Sequence, residues 1–269
     1  MDLRVGCSGW SYSSWVGPFY PEKTKPDKFL KLYSSVFNTV EVDSSFYSVP
    51  KGEIVSNWRD STPSGFLFTM KFPGSITHDN SLADPEGIIP KFIEVAKILG
   101  KKLGMVLFQL PPFFEYNSGI GKLKEFLENL ADNLKFAIEF RHKSWFREDV
   151  YGLLMKRSVT IVWSETPYVE IVPPITSDTI YLRLIGDRNI REDQFGQILR
   201  DRTSQIRKWA DIIKRHNDDV QRVYVFSNNH FQGFAPGTVS LFSKEMGLNE
   251  IRWSELMSKT RDEGQTTLF

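Results

Sequence analysis

The chain has 269 residues, 41% of them hydrophobic and 14% aromatic, enough to bury a large core as a single domain. Its 34 Lys and Arg nearly cancel its 33 Asp and Glu, so no global field draws it to nucleic acid and any such binding needs a local patch. One cysteine, Cys7, excludes an intrachain disulfide framework. No apolar run reaches the roughly 18–20 residues a membrane helix requires, and the opening MDLRVGCSGW carries no apolar signal core, so a reducing cytoplasmic setting without membrane contact is expected.

Short runs rich in Val, Ile, Leu and Phe recur along the chain and predict strands at Leu3 to Gly9, Thr39 to Ser45, Phe66 to Phe72, Gly104 to Leu110, Lys135 to Arg141, Thr160 to Glu165, Thr179 to Ile185 and Val223 to Asn229. Between most of them lie segments with apolar residues three and four apart, as in Ile88 to Leu99, Lys122 to Leu130 and Ser204 to His216, which predict amphipathic helices. Strand and helix alternating eight times over this length predict an α/β fold, a TIM (β/α)8 barrel; a doubly wound open sheet is the alternative. The sixth unit is irregular, because ETPYVEIVPPITSD offers prolines where a helix would stand. One barrel domain is expected over 1–253, followed by a terminal helix and tail over 254–269.

A barrel of this kind builds its site at the carboxyl ends of the strands. Those ends carry Ser8 and Trp10; Glu41, Asp43 and Ser45; Lys71; Gln109; Glu139, Arg141 and His142; Ser164 and Glu165; Arg183; and Asn228, Asn229 and His230. Side chains alternate across a strand, so Glu41, Asp43 and Ser45 are expected on one face and Val40 and Val42 on the other. The apolar set should meet the helices, which points the charged set into the barrel. Interior charges are costly unless paired, so Glu41, Glu139, Lys71, Arg141 and Arg183 are expected to form a network, either catalytic or purely structural.

Seven blocks, GCSGWSYSSWVGPFYP, TVEVDSSFYSVP, FLFTMKFPGSITHD, FQLPPFF, AIEFRHKSW, YLRLIG and FSNN, together resemble the successive signatures of the YecE-like family, domain of unknown function 72. The resemblance spans residue 3 to about 240 and implies a TIM barrel, with no settled activity. By motif it places shared polar and aromatic positions on Trp10, Tyr12, Trp15, Glu41, Phe46, Tyr47, Lys71, Thr77, His78, Gln109, Glu139, Arg141, His142, Trp145, Arg183, Asn228 and Asn229. The sequence departs from the family pattern at Asp43 and Ser45, where Asn and Thr are usual, and at Ile185-Gly186 in place of His-Gly.

Glu41 and Glu139 suit general acid and base work if their environments separate them, and Arg141, beside Glu139 on the same face, favours the charged form of the latter. Lys71, Arg141 and Arg183 suit a clamp for phosphate or carboxylate. The catalytic set is therefore expected among Glu41, Lys71, Glu139, Arg141 and His142. Substrate contacts are expected from Trp10, Tyr12, Trp15, Asp43, Tyr47, His78, Gln109, Trp145, Arg183, Asn228 and Asn229. Trp10, Tyr12 and Trp145 are the expected stacking surfaces for a base or sugar. His78, His142 and His230 with the carboxylates could ligate a divalent metal, although no tight ligand spacing occurs. The connection Gly186 to Arg202 reads as a mobile cover, a backbone-binding loop or a solvated face.

The tail ends GQTTLF. Gln265, Leu268 and Phe269 have the Gln-x-x-Leu-Phe spacing that resembles the short peptide bound by PCNA-like sliding clamps, in which an amide docks in a polar slot and two apolar side chains fill a groove. The leading expectation is a DNA-metabolism enzyme, of nuclease or phosphodiesterase type, recruited by a clamp and acting on a phosphodiester or damaged nucleotide. The alternatives are a small-molecule barrel enzyme acting on a sugar phosphate or similar anion, and a non-catalytic DNA- or clamp-binding accessory protein.

Overall fold

The fold is taken from a computed structural model that describes residues 1–84, 86–169, 171–248 and 253. Eight strands, β1 (Asp2–Cys7), β2 (Thr39–Val42), β3 (Leu67–Lys71), β4 (Leu103–Gln109), β5 (Phe136–Glu139), β6 (Thr160–Glu165), β7 (Thr179–Leu184) and β8 (Arg222–Ser227), run parallel in the order β1-β8-β7-β6-β5-β4-β3-β2. The remaining gap, between β1 and β2, is bridged one residue past β1, where Ser8 pairs with Glu41 and the Gly9 amide donates to the Glu41 carbonyl at 2.8 Å. The result is a nearly closed TIM barrel, as the strand count implied.

The helices α1 (Pro26–Val36), α2 (Gly52–Asp60), α3 (Ile88–Lys97), α4 (Tyr116–Glu128), α5 (Glu148–Lys156), α6 (Thr203–Arg215), α7 (Asn229–Gln232) and α8 (Ala235–Glu245) follow in sequence. In α6 the stripe Ile206, Trp209, Ala210 and Ile213 repeats at helical spacing and is buried, while Arg207 and Lys214 stay in water. Each large apolar side chain so buried stabilises by roughly 1.5–3 kcal/mol. A charge at Ile213 would break that contact. The sixth unit has no helix between β6 and β7 among its described residues. There Thr176 Oγ1 accepts from the Ile161 amide at 2.8 Å and donates to the Val159 carbonyl at 2.7 Å, so a side chain ties the proline-bearing loop to the sheet.

The strands sort their side chains as alternation demands. Val40, Val42, Ile180, Leu182 and Leu184 face the helices in the larger core, whereas Leu67, Met105, Leu107, Ala137, Val162, Tyr181, Tyr224 and Phe226 fill the barrel interior. Ser45 leaves the predicted pattern. Strand β2 stops at Val42, Asp43 is already in right-handed helical conformation, and a one-turn 3-10 helix over Ser44–Phe46 buries Ser45 against the strand ends. Its hydroxyl bonds with the Val42 and Lys71 carbonyls, at 2.9 and 2.7 Å. Ser45 thus fastens the end of β2 to the end of β3. At the far end, Trp253 donates to the Pro18 carbonyl at 2.9 Å and packs edge-on against Phe19 and Phe234. The predicted terminal helix and tail, with Gln265, Leu268 and Phe269, lie outside the described residues.

Candidate functional site

The inward alternation of β2, β5 and β7 brings Glu41, Glu139 and Arg183 together at the carboxyl end of the barrel. Both glutamates are 0% exposed and Arg183 is 2% exposed. Arg183 spans the pair: its Nη2 and Nε donate to Glu41 Oε1 at 2.7 and 3.2 Å, and its Nη1 donates to Glu139 Oε2. Glu41 also accepts from Ser8 Oγ at 2.7 Å and from Tyr181 OH at 2.6 Å, and Tyr181 in turn shares a 2.9 Å hydrogen bond with Thr69. Glu139 Oε1 accepts from Arg141 Nε at 3.0 Å.

These surroundings push the two carboxyls apart. Burial raises Glu41 above the usual carboxylate range; Arg183 opposes this and Asp43 reinforces it. Burial works against the charge of Glu139 as well, but Arg141 and Arg183 outweigh it and hold its carboxyl at about 2. The division matches the one expected from Arg141 standing beside Glu139. Every carboxylate oxygen of the pair already has a donor, which leaves the pair as the support beneath the mouth, orienting the arginines above it.

Two groups sit above this support. On one side a cavity of about 330 Å3 opens between the loops, with Trp10, Tyr12, Asp43, Tyr47, Asn228 and His230 among its lining residues. Its wall is completed by Arg188, Glu192 and Phe195, so the Gly186 to Arg202 connection contributes to the site and is not merely a solvated face. On the other side lie Lys71, His78, Gln109 and Arg141. Lys71 is 7% exposed, with its Nζ 4.0 Å from the centre of the Phe46 ring. Arg141 lies over Tyr168, 5.5 Å from the ring centre, and its Nε alone is committed to Glu139, so among the described residues its two terminal nitrogens have no protein acceptor. Gln109 Nε2 and His78 Nε2 are 3.4 Å apart, and His78 Nδ1 lies 2.9 Å from Thr77 Oγ1. Burial, Lys71 and Arg141 together drive His78 down to about 4, so its ring is neutral near pH 7. Asp43 joins the two sides, lining the cavity while its Oδ1 stands 3.5 Å from Arg183 Nη2.

Several expected site residues lie elsewhere. Trp15 and Trp145 are fully buried: Trp15 donates to Asn229 Oδ1 at 3.1 Å, and Trp145 stacks on Phe140 and donates to the Phe114 carbonyl at 2.6 Å, leaving neither a free face. Asn229 spends its Oδ1 on Trp15 and the Ala235 amide, and Asn228 caps α7 through the His230 amide while its residue still borders the cavity. His142 bonds with Ser144 on its own turn and stands 3.6 Å from Glu115, and among the described residues it makes no hydrogen bond to Arg183, Glu41 or Glu139. His230 Nδ1 is 2.8 Å from the Ile190 carbonyl. Among the described residues no three His, Cys, Asp or Glu side chains gather as a metal-binding group. Cys7 is buried, which pushes its thiol well above the usual range. Sequence reasoning missed Tyr181 and Ser8 as partners of Glu41; Tyr181 was findable, because it sits two residues before Arg183 on the same inward face.

The chain matches, over residues 4–262, the family described as "Protein of unknown function DUF72". It belongs to that family. Among DUF72 relatives, UPF0759 protein YunF of Bacillus subtilis is 30% identical over 260 residues, covering 87% of this chain and 90% of YunF. UPF0759 protein YecE of Escherichia coli is 30% identical over 144 residues, 54% of this chain, and the match spans half (50%) of YecE. Among solved structures, a DUF72 family protein (TM1631) from Thermotoga maritima superposes with a TM-score of 0.76 at 29% identity, covering 92% of this chain and 100% of that one. A second, EF0366 from Enterococcus faecalis, gives a TM-score of 0.74 at 22% identity over 92% of this chain and 96% of its own. The DUF72 barrel is thus established, and the names of these relatives carry no reaction.

Proposed function

We propose that the mouth of this DUF72 barrel binds a small phosphate- or carboxylate-bearing molecule, of the sugar phosphate class and no larger than a mononucleotide, and acts on it as a small-molecule enzyme. The observation that carries this reading is Arg141: a buried guanidinium oriented by Glu139, with its terminal nitrogens uncommitted among the described residues, on the same rim as Lys71. A planar fork held this way suits two oxygens of one anion. The cavity on the other side of the Arg183 cluster, which reaches that cluster through Asp43, is at about 330 Å3 at the small end of the range for ligand sites. Trp10, Tyr12, Tyr47 and Phe195 give it flat walls for a ring, and Asp43 stands where the two halves meet. Calorimetric titration with ribose 5-phosphate and a nucleoside monophosphate tests the reading, with Arg141→Met expected to weaken binding by roughly tenfold or more. Equal affinity in wild type and variant, or binding of neither compound, would refute it.

A second reading has the same mouth take one nucleotide at a time from DNA, with the protein recruited by a sliding clamp. It is favoured by one specific observation, the Gln265-x-x-Leu268-Phe269 spacing. Pull-down on a PCNA-like clamp should lose the protein when Leu268→Ala and Phe269→Ala are combined; retention of the double variant would end this reading.

A further inference from the structure

We infer that Lys71 is a nucleophile that forms an imine with the carbonyl of a phosphate-bearing aldehyde or ketone held at the barrel mouth; this deepens the proposed function and rests on it. The three cations of the site are not equivalent. Arg183 is consumed by Glu41 and Glu139, and Arg141 gives its Nε to Glu139 while its remaining donors are available to an anion. Lys71 alone of the three has, among the described residues, neither an ion pair nor a hydrogen bond on its ammonium, only the face of Phe46. It ends β3 at the carboxyl rim of the barrel, beside the anion-binding edge, with an aromatic wall on one side and guanidinium groups in electrostatic range on the other.

A lysine there is redundant as a further anion clamp and well suited to lose a proton. Burial and the nearby Arg183 and Arg141 charges disfavour the ammonium, against Asp43 and Glu139, and bring it down to about 8. At pH 7.5 that leaves roughly two orders of magnitude more neutral amine than an ordinary lysine offers. Desolvation next to other cations is the established way to activate such an amine. The step balances without a cofactor. The Nζ lone pair attacks the carbonyl carbon and one Nζ proton passes to the oxygen; the carbinolamine hydroxyl then leaves as water with the second Nζ proton, and the C=N bond replaces the C=O bond. Hydrolysis returns the amine. An open-chain sugar phosphate supplies both features the site would read, with its phosphate on Arg141 and its carbonyl at Lys71.

The test is reductive trapping on the full-length protein. Glyceraldehyde 3-phosphate is added with sodium borohydride, which reduces the imine to a stable secondary amine, and modified lysines are located by peptide mass spectrometry. Lys71 should label at least about tenfold faster than the exposed Lys51. Labelling should rise through pH 8, fall with added inorganic phosphate, and disappear from that peptide in Lys71→Arg. Labelling of Lys71 no faster than Lys51 would overturn the inference. Titration with glycerol 3-phosphate, which has the anion but no carbonyl, separates the two ideas. If it binds through Arg141 and Lys71 is not trapped, the imine is wrong and the anion site stands; if neither occurs, both fall.

Discussion

Replacing Arg183 by Met should destabilise the barrel by about 3–5 kcal/mol. The Nη2 of Arg183 lies 2.7 Å from Glu41, and at an effective dielectric of about 20 two unit charges at that distance attract by about 6 kcal/mol. Much of this is offset by the cost of burying the three groups, but that cost remains for the two glutamates when the arginine is removed. Glu139 would keep Arg141, whereas Glu41 would keep only the neutral donors Ser8 and Tyr181. Most of the loss therefore falls on Glu41, and adding Glu41→Gln to the Arg183→Met variant should recover about 1 kcal/mol or more. Urea unfolding at pH 7, followed by circular dichroism, measures both changes. A loss under about 1 kcal/mol for the single variant, or a second full loss on adding Glu41→Gln, would show that the carboxylates are not held by this arginine.

Acid stability follows from Glu139. Its carboxyl is held at about 2 against an ordinary 4.5, so the folded state favours the ionised form. That contributes on the order of 3 kcal/mol, present above pH 4.5 and lost as pH falls toward 2. Glu41, raised by burial, acts with the opposite sign and contributes below its ordinary range. Glu139→Gln should therefore flatten the fall in unfolding free energy between about pH 4.5 and 2, and an unchanged slope would refute the assignment. Gly186→Ala should cost about 2 kcal/mol or more in thermal unfolding, because Gly186 has φ +77 and an added Cβ would meet the His230 carbonyl oxygen at 2.5 Å; a variant melting with the wild type would contradict the geometry. Trp145→Ala should lose about 3–5 kcal/mol as a core truncation, while ligand affinity of the folded variant stays the same in calorimetry. Lost binding at unchanged stability would return Trp145 to the mouth.

The barrel was legible because its strands announce themselves twice, as short apolar runs and as charges placed at every second residue near their ends. Glu41, Glu139 and Arg183 could be grouped from that period alone, since three strands that close a barrel must bring their inward ends together. Ser45 could not be placed, because a 3-10 turn after Val42 ends the alternation and nothing in VDSSFYS marks the switch. The aromatics misled for a related reason. Trp10 and Tyr12 border the cavity, yet Trp15, three residues on and in the next turn, is wholly inside. Period-two reasoning ends with the strand, and composition does not tell which ring a loop turns inward. Nor does pattern show stoichiometry: the three cations looked alike until the hydrogen bonds showed Arg183 fully engaged, Arg141 half engaged and Lys71 without a partner among the described residues.

The seam between β1 and β2 places this chemistry under a mechanical constraint. Glu41 helps to close the barrel with its backbone, through Ser8 and Gly9, and supports the mouth with its side chain, through Ser8, Tyr181 and Arg183. The joint that holds the first strand to the second is thus also the foundation of the pocket. Loosening one loosens the other: a fluctuation that parts the first two strands would disarrange the floor of the site before it disturbed the helices outside, and anything that locks the floor would in turn act as a clasp on the whole sheet.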